Sequence, residues 1–344
     1  MKLVRGIDCL SHAPTHPVVT IGNFDGVHLG HKAIIQLAAE RARARSGELV
    51  AYTFRPHPQV LLHSKGPIQL LVTYDEKVDL LSQLGVDVLI EEPFTLEFSK
   101  TEPEVFFNEV LLGKLKAEEI VVGYDFAFGR KRHGHLDALE QFCRQSNVEL
   151  RVVEPQKAPS LSQDVAGQDA SKPDSPESPG SQVVSSSRIR KHLLLGELEV
   201  AKKLMGRPFS YRGEVIRGDR RGHQLGFPTA NLKNCDNKLA LPRGVYATWT
   251  VCGGRRFKSV TNVGVRPTFI REGESSQTYW VETHLINPAL GLSSDPPLDL
   301  YGQIIEVQFE SHLRPEKKFS GVEELKAQIL IDITQAEARL QNST

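Results

Sequence analysis

Val18-Val19-Thr20-Ile21-Gly22-Asn23-Phe24-Asp25-Gly26-Val27-His28-Leu29-Gly30-His31 begins as a buried, β-branched run, turns on a glycine-punctuated loop and enters a helix that starts with two histidines. A helix N-terminus presents unpaired N–H groups and a partial positive charge, so this turn is a natural seat for phosphate. Gly22, Gly26 and Gly30 allow the backbone to approach a ligand closely, and Asn23, Phe24 and Asp25 lie in the loop that would wrap it. His28 and His31 are three apart at the start of the helix, so both rings can face one anion and stabilise charge on a displaced phosphoryl group. A tight turn carrying two solvated histidines fits the H-x-G-H spacing equally well.

At 344 residues the chain exceeds one ordinary hydrophobic core, and two domains are expected, 1–205 and 206–344. Lys plus Arg and Asp plus Glu each total 42, and a formal net charge of zero gives no electrostatic case for nucleic acid or an anionic membrane. Small-molecule partners are expected. The first residues lack a signal-peptide core, and no stretch approaches the roughly 20 apolar residues that span a bilayer, so the chain is read as cytoplasmic. Cysteines at 9, 143, 235 and 252 have no C-x-x-C spacing, which suggests neither zinc nor a disulfide frame.

From Pro17 to Pro155 short β-branched runs alternate with amphipathic segments. Strands are expected at Glu48–Phe54, Val86–Glu91, Glu118–Gly123 and Glu149–Glu154, with helices at about 31–45, 75–84, 102–112 and 135–147. Thr73-x-x-Glu76 and Thr101-x-x-Glu104 read as capping boxes. Such alternation predicts an α/β domain, a doubly wound parallel sheet covered on both faces, with ligands beyond the carboxyl ends of its strands. Residues 156–182 shift to Ser, Pro, Asp, Gln and Gly and read as a disordered insert. A serine-rich cap at 183–187 then leads into a helix through about Met205. After Gly206 strands follow one another at Phe209–Arg217, Gly244–Val251, Arg256–Val263, Tyr279–Ile286 and Gln303–Glu310, which predicts a small antiparallel β-barrel. A C-terminal helix over 321–341, capped by Ser320-x-x-Glu323, carries an apolar stripe of Val322, Leu325, Ile329, Ile333, Ala336 and Leu340 that reads as structure and not site.

Four further stretches carry chemistry. Phe54-Arg55-Pro56-His57-Pro58 follows a strand, and its two prolines fix an extended turn that brings His57 to the edge used by His28. Gly123-Tyr124-Asp125-Phe126-Ala127-Phe128-Gly129-Arg130-Lys131-Arg132 sets aromatic faces beside cations, as a ring bearing phosphate requires. In Gly226-Phe227-Pro228-Thr229-Ala230-Asn231, downstream of a glycine-rich flap that includes Gly222, Thr229 and Asn231 point the same way on an extended strand and can offer neutral oxygens to Mg²⁺. No Walker A sequence exists in the chain. In Tyr279-Trp280-Val281-Glu282-Thr283-His284-Leu285, alternation puts Glu282 and His284 on one face, and a kinase acting on an alcohol needs a carboxylate near the hydroxyl.

The run GNFDGVHLGH resembles the H-x-G-H nucleotidyltransferases, and specifically the adenylyltransferase half of the bacterial bifunctional riboflavin kinase/FMN adenylyltransferases, or FAD synthetases. F-x-P-H-P, G-x-D-F-x-F-G, P-T-A-N and E-T-H stand in that family's order, and the resemblance covers nearly the whole chain outside 156–182. It implies a Rossmann-like N-terminal domain that adenylylates FMN and a C-terminal barrel that phosphorylates riboflavin, with ATP as co-substrate and Mg²⁺ as metal. It implies phosphate binding by Gly22, Asn23, Phe24, Asp25, Gly30 and Gly222, and charge stabilisation by His28 and His31. Ser187 and Arg190 map onto an S/T-x-x-R element that clamps departing pyrophosphate. Thr229 and Asn231 map onto the metal ligands, Glu282 onto the base toward the ribityl hydroxyl, and Phe54, His57, Asp125, Phe126, Phe128 and Arg314 onto the flavin sites. The expected partners are riboflavin, FMN and ATP, without nucleic acid or membrane, and the chain is expected as a monomer or weak homo-oligomer. Departures from the family pattern are His223 in the flap, Arg55 where an acid is common, Ser187 where Thr is frequent, and a longer segment at 287–298. Two rivals stay open: another nucleotidyltransferase whose barrel only binds substrate, and a non-catalytic flavin or nucleotide sensor.

Overall fold

The computed structural model describes residues 1–62, 68–158, 183–218, 225–233, 237–265, 279–286 and 300–341. The expected disorder of 156–182, the flap residues Gly222 and His223, and the 287–298 segment fall wholly or mainly outside that set. The chain divides into two compact units, Met1–Ser186 and Ser187–Thr344.

The first unit is built on six parallel strands, β1 (Lys2–Arg5), β2 (Val18–Ile21), β3 (Leu49–Arg55), β4 (Val88–Pro93), β5 (Glu119–Gly123) and β6 (Glu149–Val153), in the order β1-β4-β3-β2-β5-β6. Its helices are α1 (Leu29–Ala44), α2 (Pro58–Leu62), α3 (Tyr74–Gln83), α4 (Pro103–Val105) running into a π-helix (Phe106–Lys114), and α5 (Leu136–Gln145). Strand alternation separates two cores. Val19, Ile21, Val50, Tyr52, Ile120 and Val122 pack with Phe106, Phe107 and Leu139 on one face, while Val18, Leu49, Ala51 and Val121 pack with Ile35, Ala38 and Leu81 on the other. The chain winds outward from β2 through β3 and β4, then returns to place β5 on its other side. The switch point therefore lies between β2 and β5, where such sheets bind ligands.

Two local expectations change, and one strand has no counterpart among them. Thr73 and Glu76 do form a capping box on α3, but Thr101 does not cap α4; Pro103 occupies the first helical turn and makes Glu102 the N-cap, without a side-chain bond. The helix expected at 102–112 is mostly π, which brings Phe106, Phe107, Val110 and Leu111 to one buried side, with Leu115 N–H bonded to the Val110 carbonyl. β1 has no sequence signal because only Val4 of its four residues is buried.

In the second unit the helix expected through Met205 is two, α6 (Ser186–Leu194) and α7 (Leu198–Met205), broken at Gly196 with φ of 77°. The barrel strands are β7 (Phe209–Ile216), β8 (Ala230–Leu232), β9 (Gly244–Cys252), β10 (Arg255–Val265), β11 (Tyr279–Ile286) and β12 (Ile304–Arg314), closed in the order β10-β11-β8-β7-β12-β9 with every pair antiparallel. β8, only three residues long, is the extended strand expected to carry Thr229 and Asn231, with Thr229 just before its first residue. Phe209, Tyr211, Tyr246 and Phe309 pack in the barrel, and Thr248, Thr250, Ser259, Thr261 and Thr283 join their buried hydroxyls in one hydrogen-bonded cluster. The last helix, α8 (Val322–Gln341), lays Ala336 and Leu340 against Ala247, Trp249, Val260 and Leu313. Its cap differs from expectation, since the Ser320 hydroxyl and N–H both donate to Glu324 and not Glu323. Val322, expected on the stripe, is 53% exposed.

Candidate active sites

The turn after β2 is held by apolar side chains that point inward while its backbone bends in unusual ways. Phe24, Gly26 and Val27 have φ of 49°, 83° and 38°, left-handed values that cost free energy in a phenylalanine and still more in a β-branched valine. Phe24 and Val27 are 1% and 0% exposed and pack in the core beneath the sheet, which offsets that strain. His28 is the N-cap of α1, and its Nδ1 accepts from the His31 N–H at 3.4 Å. The two imidazoles stack with centroids 3.7 Å apart and planes 16° apart, and the Phe24 ring meets His31 edge-on at 5.4 Å. A Cβ on Gly30 would approach the His28 ring to 3.2 Å, so a larger residue there would press on the stack and shift it by a few tenths of an ångström. The paired rings and the opening N–H groups of α1 thus occupy one helix terminus.

The remaining predicted residues of this unit fall into two kinds. Asn23 presents a buried side-chain oxygen, Oδ1, that has no hydrogen-bond partner among the described residues. Asp25 is 4% exposed and its carboxylate accepts from the Leu71 N–H at 2.9 Å, while its carbonyl accepts from the Ser186 hydroxyl at 2.8 Å. Phe54 sits among Tyr52, Phe94 and Phe98. His57 is buried, its N–H donating to the Tyr74 hydroxyl and its Nδ1 accepting from the Gln59 N–H. Past β5, Phe126 and Phe128 stack at 5.4 Å, Asp125 is exposed, and the Arg132 guanidinium donates to the Asp125 carbonyl. Residues 22–31, 54–57 and 125–128 follow the carboxyl ends of adjacent parallel strands, so they share one edge of the sheet. In the second unit, Ser187 is exposed and Arg190 half-buried, one turn apart on α6.

The barrel unit holds a cavity of about 700 Å³ lined by Phe227, Thr229, Asn231, Asn262, Trp280, Glu282 and His284, and closed by Arg314, Phe319, Leu325, Ile329 and Asp332. Glu282 pairs in register with Asn231 on one side and Asn262 on the other, giving a row of three polar side chains across β8, β11 and β10. Asn231 Oδ1 and Asn262 Oδ1 are both buried without a hydrogen-bond partner among the described residues. A Cβ at Gly218 would lie 2.3 Å from the Asn231 amide nitrogen, so any larger residue there would displace the Asn231 side chain from its place on the cavity wall. The His284 ring N–H at Nδ1 donates to the Pro228 carbonyl at 2.8 Å, fixing the segment that carries Thr229; burial pushes the His284 pKa below its ordinary value. Arg314 makes a two-pronged ion pair with Asp332 at 2.9 and 2.8 Å, and Asp332 also accepts from Gln328.

Asn262 belongs to the stretch Asn262–Thr268, whose match to the family pattern implies that it frames the flavin and nucleotide sites. Sequence reasoning gave no role to Trp280 or Asp332, and it placed Leu325 and Ile329 on a purely structural stripe, whereas both line the cavity. Asp332 carried a signal: an acid beside an apolar stripe, which demands a buried partner. Trp280 carried one too, because the alternation that puts Glu282 and His284 on one face of the strand puts Trp280 there as well.

A doubly wound parallel sheet with a histidine-bearing turn at its switch point is joined in one chain to a small barrel with a polar cavity, and both parts match transferase families. Residues 10–162 match the family model described as FAD synthetase, and 205–340 match that described as riboflavin kinase. A bifunctional riboflavin kinase/FMN adenylyltransferase of Buchnera aphidicola is 33% identical over 97% of this chain and 97% of its own, and that of Escherichia coli K12 is 32% identical over 96% of each. A Streptococcus pneumoniae protein described as a macrolide-efflux protein shares the fold, with a TM-score of 0.79 and 24% identity over 98% of this chain and 99% of that one. The chain belongs to the bifunctional riboflavin kinase/FMN adenylyltransferase family. It is an enzyme with an FAD synthetase part and a riboflavin kinase part, whose family implies ATP, riboflavin and FMN as substrates. Among the described residues no helix is long and apolar enough to cross a membrane.

Proposed function

We propose that the chain makes FMN in the barrel cavity and FAD at the turn after β2, with a functional boundary at 205/206. In the barrel, Glu282 accepts the proton of the riboflavin 5′-hydroxyl as its oxygen attacks the γ-phosphorus of ATP, breaking the bond to the β-phosphate oxygen and releasing ADP. Thr229 and Asn231 would hold Mg²⁺, and the observation that favours this is the buried, unpartnered Asn231 Oδ1, a neutral oxygen lining the cavity beside Glu282. When bound, Mg²⁺ would neutralise phosphate charge.

At the turn, an FMN phosphate oxygen attacks the α-phosphorus of a second ATP and pyrophosphate leaves. The nucleophile is already an anion, so the residues position and stabilise charge and no base is needed. Gly22, Asn23 and Gly30 cradle phosphate with the N-terminus of α1, and His28 and His31 stabilise charge on the α-phosphoryl oxygens. Phe24 and Asp25 hold the cradle from behind. Ser187 and Arg190 take the pyrophosphate, the guanidinium bidentately. Phe54, His57, Asp125, Phe126 and Phe128 receive the flavin of FMN, and Arg314 the flavin in the barrel. We further propose that the enzyme works in the cytoplasm as a monomer or weak homo-oligomer.

The single observation that carries the reading is the stacked His28–His31 pair at the N-terminus of α1, at the sheet's switch point. The test is chromatography of purified protein with riboflavin, ATP and Mg²⁺. FMN and then FAD are expected; formation of neither would overturn the reading.

A further inference from the structure

Lys77 belongs to α3, whose start is fixed by the Thr73–Glu76 capping box, yet its side chain runs inward and is 4% exposed. Its Nζ lies 3.1 Å from Thr53 Oγ1 at the end of β3 and 3.4 Å from the carbonyl oxygen of Asn23, and the Thr53 hydroxyl lies 3.4 Å from that same carbonyl. The Asn23 carbonyl is thus gripped from two sides immediately before the left-handed residues Phe24, Gly26 and Val27. The charged neighbours are Asp25 from the turn, Glu91 from β4 and Arg55 from β3, with the Tyr74 ring centroid 5.2 Å from Nζ. Arg55 pairs with Glu91 at 3.3 Å and stacks on the same Tyr74 ring.

A buried ammonium is a costly way to fill space. Burial pulls the pKa of Lys77 down to about 8, although Glu91 and Asp25 oppose the shift. Methionine would fill a similar volume without that penalty. What the ammonium supplies and methionine would not is a second donor to the Asn23 carbonyl, beside the Thr53 hydroxyl, and positive charge behind the turn.

We propose that Lys77 is a positioning residue for adenylyl transfer, its ammonium locking the Asn23 carbonyl so that the turn and the His28–His31 pair are held ready for the phosphates of FMN and ATP. This rests on the reading of the turn as the adenylyl site. Lys77 loses its charge as pH rises through about 8, so FAD formation should fall on the alkaline side while FMN formation, in the other unit, does not follow it.

The experiment measures kcat/KM for FAD formation from supplied FMN across pH, FMN formation in the same preparations, and the unfolding temperature, for wild type, Lys77→Met and Lys77→Arg in the full-length chain. Lys77→Met should lower FAD formation by about tenfold to a hundredfold, leave FMN formation unchanged, and leave the unfolding temperature unchanged or raised, because a buried charge has gone. Lys77→Arg, permanently charged, should retain more activity than the methionine variant and move the alkaline limb upward. Wild-type FAD formation by Lys77→Met would overturn the proposal. So would a loss accompanied by a lowered unfolding temperature and no alkaline limb in the wild type. His28→Ala is run alongside: if it forms FAD at the wild-type rate, the reading of the turn itself falls, whatever Lys77 does.

Discussion

Glu282 stands directly opposite Asn231 across the pairing of β8 with β11, with Asn262 in the same row on β10. Residues so paired hold their Cβ atoms about 5 Å apart, which puts a carboxylate and two neutral amide oxygens on one wall of the cavity. The alternation of β11 enforces the division, since Val281 and Thr283 are buried within the barrel. Glu282→Gln, nearly isosteric, is expected to reduce FMN formation by about a hundredfold or more while FMN added from outside is still converted to FAD. Product chromatography with riboflavin or FMN as sole flavin checks both halves.

The reverse pattern is expected at the turn. His28→Ala removes both the N-cap acceptor and one ring of the stacked pair, and should slow FAD formation by about a hundredfold to a thousandfold with FMN accumulating unchanged. Gly30→Ala should give a milder version of the same defect, because its new Cβ would meet the His28 ring at 3.2 Å without removing it. Time courses from riboflavin, in which FMN builds up in place of FAD, distinguish these variants from kinase defects.

Much of this arrangement was legible beforehand for a physical reason. β2 to β6 are short apolar runs separated by helical periodicity, so the sheet and the edge carrying His28, His57 and Phe126 followed from local pattern. The alternation around Glu282 was equally local. What escaped was fixed by distant partners. β1 is a tetrapeptide with only Val4 buried until it pairs with β4, the closure of the barrel at β8 depends on its pairing with both β7 and β11, and Asp332 becomes part of a site only when Arg314 reaches it. The π-helix escaped because its two pairs of adjacent buried residues suit several helical periods.

Asp332 is 2% exposed and Arg314 mostly buried, so each neutralises the other in a place where either charge alone is costly. Asp332→Ala leaves the guanidinium without its counter-charge and should destabilise the barrel by about 3 kcal/mol. It should also raise the KM for riboflavin, since Arg314 is then free to leave the cavity wall. Thermal unfolding and FMN-formation kinetics check the two effects, and FAD formation from added FMN is the internal control.

Acid should weaken the barrel through its histidines. Burial holds the pKa values of His284 and His312 below the usual 6.5, with the His284 N–H on the Pro228 carbonyl and the His312 ring against Tyr246. The unfolded chain therefore takes up protons first as pH falls below about 6.5, and unfolding is favoured progressively until the folded-state values are reached. Stability contributed by the neutral rings is fully present above about pH 6.5 and is lost beneath it. His312→Gln, which cannot take up that proton, should flatten the fall in unfolding temperature between neutral and mildly acidic buffer. Calorimetric scans across that interval should show the wild-type unfolding temperature falling relative to the variant's as pH drops; parallel curves would show that His312 is not among the groups responsible.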